Sequence, residues 1–105
     1  MYRDCEFKTC PQEKEHPHSI YLTQEVAKDT RGNLTGYFAS IIAMDANIGR
    51  VIKTLERLSI LEDTVIIFTS DNGFSCGQHG FWGKGNGTFP LNMYDVCVKV
   101  PFIFS

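Results

Sequence analysis

At 105 residues the chain has room for one domain, and its 43% apolar and 21% charged residues give the balance of a globular protein rather than a disordered one. The formal net charge of −2 gives no electrostatic reason to expect a nucleic-acid or membrane partner. The longest apolar run falls far short of a membrane span.

Residues 1–18 mix charges with Pro11, Pro17, His16 and His18 and show no apolar periodicity, so they read as a surface arm whose histidines face solvent. Arg3, Asp4, Glu6 and Lys8 interrupt any apolar core there, and no signal-peptide pattern is legible. The four cysteines, Cys5, Cys10, Cys76 and Cys97, form no C-x-x-C pair and fit no zinc spacing. A Cys5–Cys10 disulfide and four unpaired thiols both stay open, the thiols being the plainer expectation. Ser19 to Lys28 is expected to be a short helix or irregular segment anchored by Ile20, Leu22 and Val26.

From about Leu34, apolar residues recur at three- and four-residue steps: Tyr37, Ile41, Met44, Ile48, Val51, Ile52, Leu55 and Leu58. That is the pattern of an amphipathic helix, with Arg50, Lys53, Glu56 and Arg57 on its far face. Asn33 or Thr35 is expected to cap it. Gly49 inside the helix suggests close packing. Asp45, on the apolar side, is expected to serve as a structural hydrogen-bond anchor.

Thr64 to Thr69 is apolar on both faces and rich in β-branched residues, as in a central strand of a parallel sheet covered by helices. The fold class expected is therefore α/β. In such sheets ligands gather beyond the carboxyl ends of strands, where Ser70-Asp71-Asn72-Gly73 lies. Residues 73–95 form a long irregular connection holding six of the nine glycines. Val96 to Phe104 regains strand character, with Pro101 at a strand start or edge.

Asp71 and Asn72 offer oxygens to a hard cation such as Ca²⁺ or Mg²⁺, although residue type alone puts a simple turn first for Asp-Asn-Gly. Lys84, between Gly83 and Gly85, either reaches an anion or is a solvated surface lysine. No phosphate-binding P-loop is present. His79 has the chemistry of an acid, base or donor near neutral pH, and equally that of a loop histidine satisfied by backbone. Phe81 and Trp82 either wall a pocket or pin the loop. The N-x-T sequons at Asn33 and Asn86 read as incidental, because a glycan on Asn86 would crowd Lys84.

Taken in order, the helix segment MDANIGR, then TSDNG, then GQHGFWGKG, then YDVCVKVPF form a compound signature. It resembles the later part of the sulfatase catalytic domain, in the alkaline-phosphatase-like superfamily, over about residues 34–105, with 1–33 matching only loosely. The resemblance implies an arm over 1–33 followed by a partial sulfatase domain over 34–105. The architecture it implies is a partial alkaline-phosphatase-like sandwich: a long amphipathic helix, a central parallel strand and a Gly-rich active-site loop. It implies that Asp71 and Asn72 ligate the active-site divalent cation, usually Ca²⁺. It also implies that Lys84 contacts the sulfate of the substrate ester and helps neutralise charge during S–O cleavage, with His79 near the pocket.

The departures are equally specific. Sulfatases make a formylglycine nucleophile from a C/S-x-P-x-R motif, which does not occur in these residues; Cys10-Pro11 has its proline one position too early. The family's N-terminal aspartate pair and its middle histidine and lysine also have no counterpart. The expectation is a fragment whose partner is the missing N-terminal half, without turnover on its own. Two alternatives accompany it: a phosphoester or phosphonate hydrolase of the same superfamily, and a non-catalytic remnant or binding module that kept the fold. Family analogy points to periplasmic, extracellular or lysosomal settings and leaves the individual sulfate ester open.

Overall fold

A computed structural model describes residue 2 and residues 4–105. Its long axis follows one helix, and the chain measures 53 × 33 × 20 Å with a radius of gyration of 17.1 Å. A compact domain of this length would be nearer ~13 Å. The elongation follows from the sequence: α1 (Tyr21–Ala27) leads directly into α2 (Thr30–Arg57), whose 28 residues extend about 42 Å at the standard rise. Among the described residues, no helix is long and apolar enough to cross a membrane.

Helix α1 falls within the segment expected to be helical, with Val26 and Thr23 buried and Leu22 exposed. Helix α2 begins four residues before Leu34, and its cap is Asp29 rather than Asn33 or Thr35. The Asp29 carboxylate accepts from Gly32 N at 2.9 Å, and the Asn33 side chain donates back to Asp29 O at 2.8 Å. A carboxylate at that position satisfies an orphan amide and suits the positive helix end, so the start moves upstream to it. At the other end Ile60 N donates to Leu55 O and Ser59 N to Glu56 O, with Ser59 at φ 56°. This is a Schellman closure with serine in the left-handed position that glycine usually fills.

The stripe on α2 is as the periodicity predicted, but most of it is not sealed. Only Leu34 is buried along the helix. Ile41, Met44, Ile48 and Ile52 face Ile66 and Phe68 across an open groove of about 680 Å³. Asp45 is exposed at the groove's edge, which corrects the expected buried anchor, and a Cβ on Gly49 would meet nothing within 4 Å, which corrects the expected close packing.

After a 3-10 turn at Leu61–Asp63 come β1 (Ile67–Thr69), β2 (Ser75–Cys76), β3 (Trp82–Gly83), α3 (Asp95–Val98) and β4 (Phe102–Phe104). The predicted central parallel strand is instead a short strand paired antiparallel with β4, in the register Ile67↔Phe104 and Thr69↔Phe102. It has one covered face: Ile66 and Phe68 turn toward α2, while Val65 and Ile67 are exposed. The stretch from Val96 is divided, its first residues closing α3 and its last forming β4 directly after Pro101. Proline's missing N–H fits that strand-start position.

The sealed core lies at the N-terminal half of α2. Cys10, Val26, Leu34, Cys76 and Trp82 are buried together, with Phe7, Phe38 and Phe74 packed around them. All four cysteines are free thiols, so the Cys5–Cys10 bridge is not formed.

The α2 closure yields a test. Ser59→Gly removes the cost of a side chain in left-handed backbone and is expected to stabilise the chain by about 1 kcal/mol, read by urea denaturation. An unchanged or lower stability contradicts the closure.

Candidate active site

The site is assembled around a small hairpin. Strands β2 and β3 pair as Ser75↔Gly83 and Cys76↔Trp82. Ser75 is fully buried, and its hydroxyl sits 2.8 Å from Gln78 O and 2.9 Å from Phe81 O, closing the hairpin from within. Phe81 is fully buried beneath it. A Cβ on Gly87 would strike the Phe81 ring, so glycine is required where the chain leaves the hairpin.

The N-terminal arm holds this hairpin on its outer side. Gln12 Nε2 donates to Cys10 O at 2.9 Å and to Cys76 O at 2.7 Å, while its Oε1 accepts from the Trp82 indole at 3.2 Å. His16 N donates to Gly80 O at 2.8 Å, and Gly80, at φ 72°, packs so tightly that a Cβ would collide with Lys14 O. From α1, the Thr23 hydroxyl accepts the Trp82 amide at 2.9 Å. Ser19 and Thr88 form a β-bridge.

Beyond β1 the chain bends at Asp71, and Gly73 N donates to Cys97 O at 2.9 Å, tying the strand exit to α3. Asp71 is exposed. Ser70 Oγ donates to Asn72 O at 2.8 Å, and Asn72 Nδ2 to Gly73 O at 3.0 Å. These bonds leave Asn72 Oδ1 to face across the loop, where Lys84 Nζ donates to it at 3.0 Å. Two of the four residues singled out from the sequence therefore meet directly: the amide after β1 and the lysine after β3. The contact sets an ammonium beside an amide oxygen, one residue along the chain from the exposed Asp71 carboxylate; an ammonium suits an anion, and carboxylate and amide oxygens suit a hard cation.

His79 occupies a different place. Held at φ 58°, its exposed ring stacks on Tyr94 with centroids 4.1 Å apart and planes 13° from parallel. His16 is half-buried rather than solvated, with Nε2 3.4 Å from the Tyr94 hydroxyl; His18 is exposed, as expected. The Tyr94–His16 contact spans 78 positions, and no local pattern in the sequence announces it. Nearby, Asn92 links this cluster to the lysine loop, its backbone N–H donating to Gly85 O at 2.8 Å and its side chain to Thr88 Oγ1 at 3.0 Å.

The donor chemistry at Asp71 and Asn72 fits a hard cation, but two side chains fill only part of a shell of six to eight oxygens. Among the described residues, no three His, Cys, Asp or Glu side chains converge as a metal cluster.

Comparison with known proteins gives a consistent picture. The family model described as Sulfatase matches residues 6–104. The chain is 32% identical to N-acetylglucosamine-6-O-sulfatase of Bacteroides thetaiotaomicron over 92% of its own length and 19% of that protein. It is 31% identical to choline-sulfatase of Rhizobium meliloti over 100% of its own length and 22% of that protein. To human iduronate 2-sulfatase it is 40% identical over 65% of its length and 11% of that protein. The chain thus spans about a fifth or less of these relatives. No solved structure matches it.

The stacked pair supplies a test. Tyr94→Ala is expected to cost about 1 kcal/mol of stability and to move the His79 ring-proton resonances downfield in NMR as the ring current is lost. Unmoved His79 resonances contradict the stacking.

Proposed function

The chain belongs to the sulfatase family, and from that premise we propose that it forms one wall of a sulfatase active site, within a longer polypeptide that hydrolyses sulfate esters. The observation that carries this reading is the 3.0 Å hydrogen bond between Lys84 Nζ and Asn72 Oδ1. It joins the strand-end amide to the loop lysine at the positions where the family signature has its metal ligand and its sulfate-binding cation.

In this reading Asp71 and Asn72 hold a divalent cation, Ca²⁺ or alternatively Mg²⁺, through their side-chain oxygens. That ion, when bound, supplies Lewis-acid stabilisation of the ester's sulfate. Lys84 binds a sulfate oxygen and meets the negative charge that grows on it as the S–O bond breaks. A cation fixed beforehand by a buried hairpin needs no reorganisation at that moment, which is the source of its effect. His79, stacked on Tyr94 with an exposed ring, is kept in this reading as the catalytic candidate the family resemblance implies near the pocket. The formylglycine nucleophile, and the remaining metal ligands, come from polypeptide outside these residues.

The surface supports a larger partner. Val65, Ile67, Phe102, Ile103 and Phe104 are all more than half exposed on a two-stranded ribbon. Such a ribbon is marginal in water unless further strands or helices cover it. The remainder of the catalytic domain is the cover we propose.

The reading is tested in a full-length polypeptide carrying this stretch, assayed with an aryl sulfate. Lys84→Ala is expected to lower kcat by about 10²–10³-fold while the protein stays folded by circular dichroism. Undiminished kcat in that variant contradicts the role given to Lys84.

A further inference from the structure

The N-terminal arm and the hairpin meet at two buried thiols that the sulfate site does not use. Cys10 and Cys76 lie in one core cluster, at 7% and 2% exposure. Their backbones are also aligned: one Gln12 nitrogen serves both carbonyls, Glu13 N donates to Gly77 O at 3.3 Å, and Gln78 Nε2 donates to Thr9 O at 3.1 Å. Residues 9–13 and 76–78 therefore run side by side, with both cysteines on these facing segments and buried in one core cluster; a disulfide between them requires a Cα–Cα approach under about 7 Å.

We propose that Cys10 and Cys76 form a disulfide under oxidising conditions, fastening the N-terminal arm to the hairpin from which Lys84 emerges. The oxidant is a small-molecule disulfide such as glutathione disulfide. The Cys10 thiolate attacks one of its sulfurs, forming a mixed disulfide and releasing one glutathione thiolate. Cys76, after losing its proton, then attacks the Cys10 sulfur and releases the second glutathione. Two protein thiols are oxidised, one glutathione disulfide is reduced, and the two thiol protons end on the two glutathione molecules. Burial, with Cys10 beside it, pushes the Cys76 thiol up to about 12, so little of that thiol is ionised near neutral pH and closure is slow. The link closes a long loop, the case in which a cross-link restricts the unfolded chain most.

The test equilibrates the 105-residue chain in glutathione buffers from reducing to oxidising, quenches with acid, alkylates under denaturing conditions and maps the peptides by mass spectrometry. The chain and a Cys5→Ser variant are both expected to yield a Cys10–Cys76 linked peptide, with a higher melting temperature than the reduced form. A Cys10→Ser variant is expected to lose that temperature rise. A Cys5–Cys10 link, a scrambled mixture, a persistent glutathione adduct on Cys10, or full alkylation of both thiols after prolonged oxidation each overturns the proposal. The outcome does not depend on sulfatase activity.

Discussion

The geometry of this chain depends on how the hairpin from Ser75 to Gly83 is held. Its Trp82 amide goes to Thr23 of α1 and its indole to Gln12 of the arm, while the same Gln12 side chain serves the carbonyls of Cys10 and Cys76. Each bond satisfies a polar group that would otherwise be costly in a site sealed by Phe74, Trp82 and Leu34. No buried side-chain nitrogen or oxygen among the described residues lacks a partner. Because the hairpin is fixed on both sides, the backbone leaves β3 in one direction, and Lys84 returns to Asn72. An exposed hydrogen bond of that kind contributes little stability of its own. Its position is set by buried contacts elsewhere.

The two ends of α2 differ for the same reason. At its start, Leu34 is sealed beneath the arm and the hairpin. Further along, the same apolar periodicity continues through Ile41, Met44, Ile48 and Ile52, but the short β1–β4 ribbon only partly covers it. Equal amphipathicity in sequence thus gives a sealed core in one place and an open groove in another. The difference lies in what packs against the helix, which a hydrophobic pattern does not encode.

That distinction also separates what was legible in the sequence from what was not. The α2 stripe, the short helix at Tyr21–Ala27 and the strand ending before Ser70 follow from local periodicity and β-branched composition. The helix start was misplaced because Asn33, a good capping residue, stands four positions after Asp29, a better-placed one. The parallel reading of β1 failed because a doubly apolar run carries no information about strand direction, and β4 arrives antiparallel. The meeting of Asn72 and Lys84 was legible only through resemblance to a known motif order, since neither residue type nor spacing fixes the path of a glycine-rich loop. His16 was misread as solvated because its partner Tyr94 is remote in the chain.

The proposed roles of Asp71, Asn72 and Lys84 can be tested at one place, the 3.0 Å contact between Asn72 Oδ1 and Lys84 Nζ. The most direct measurement is a calcium titration of the chain followed by NMR of the Asn72 side-chain amide and the Lys84 resonances. If Asp71 and Asn72 are cation ligands beside Lys84, both sets of signals shift together and saturate, with a dissociation constant on the order of millimolar for so incomplete a ligand set, and Asp71→Asn abolishes the shift. Diffuse movement of surface carboxylates, with Asn72 and Lys84 unmoved, would contradict the account.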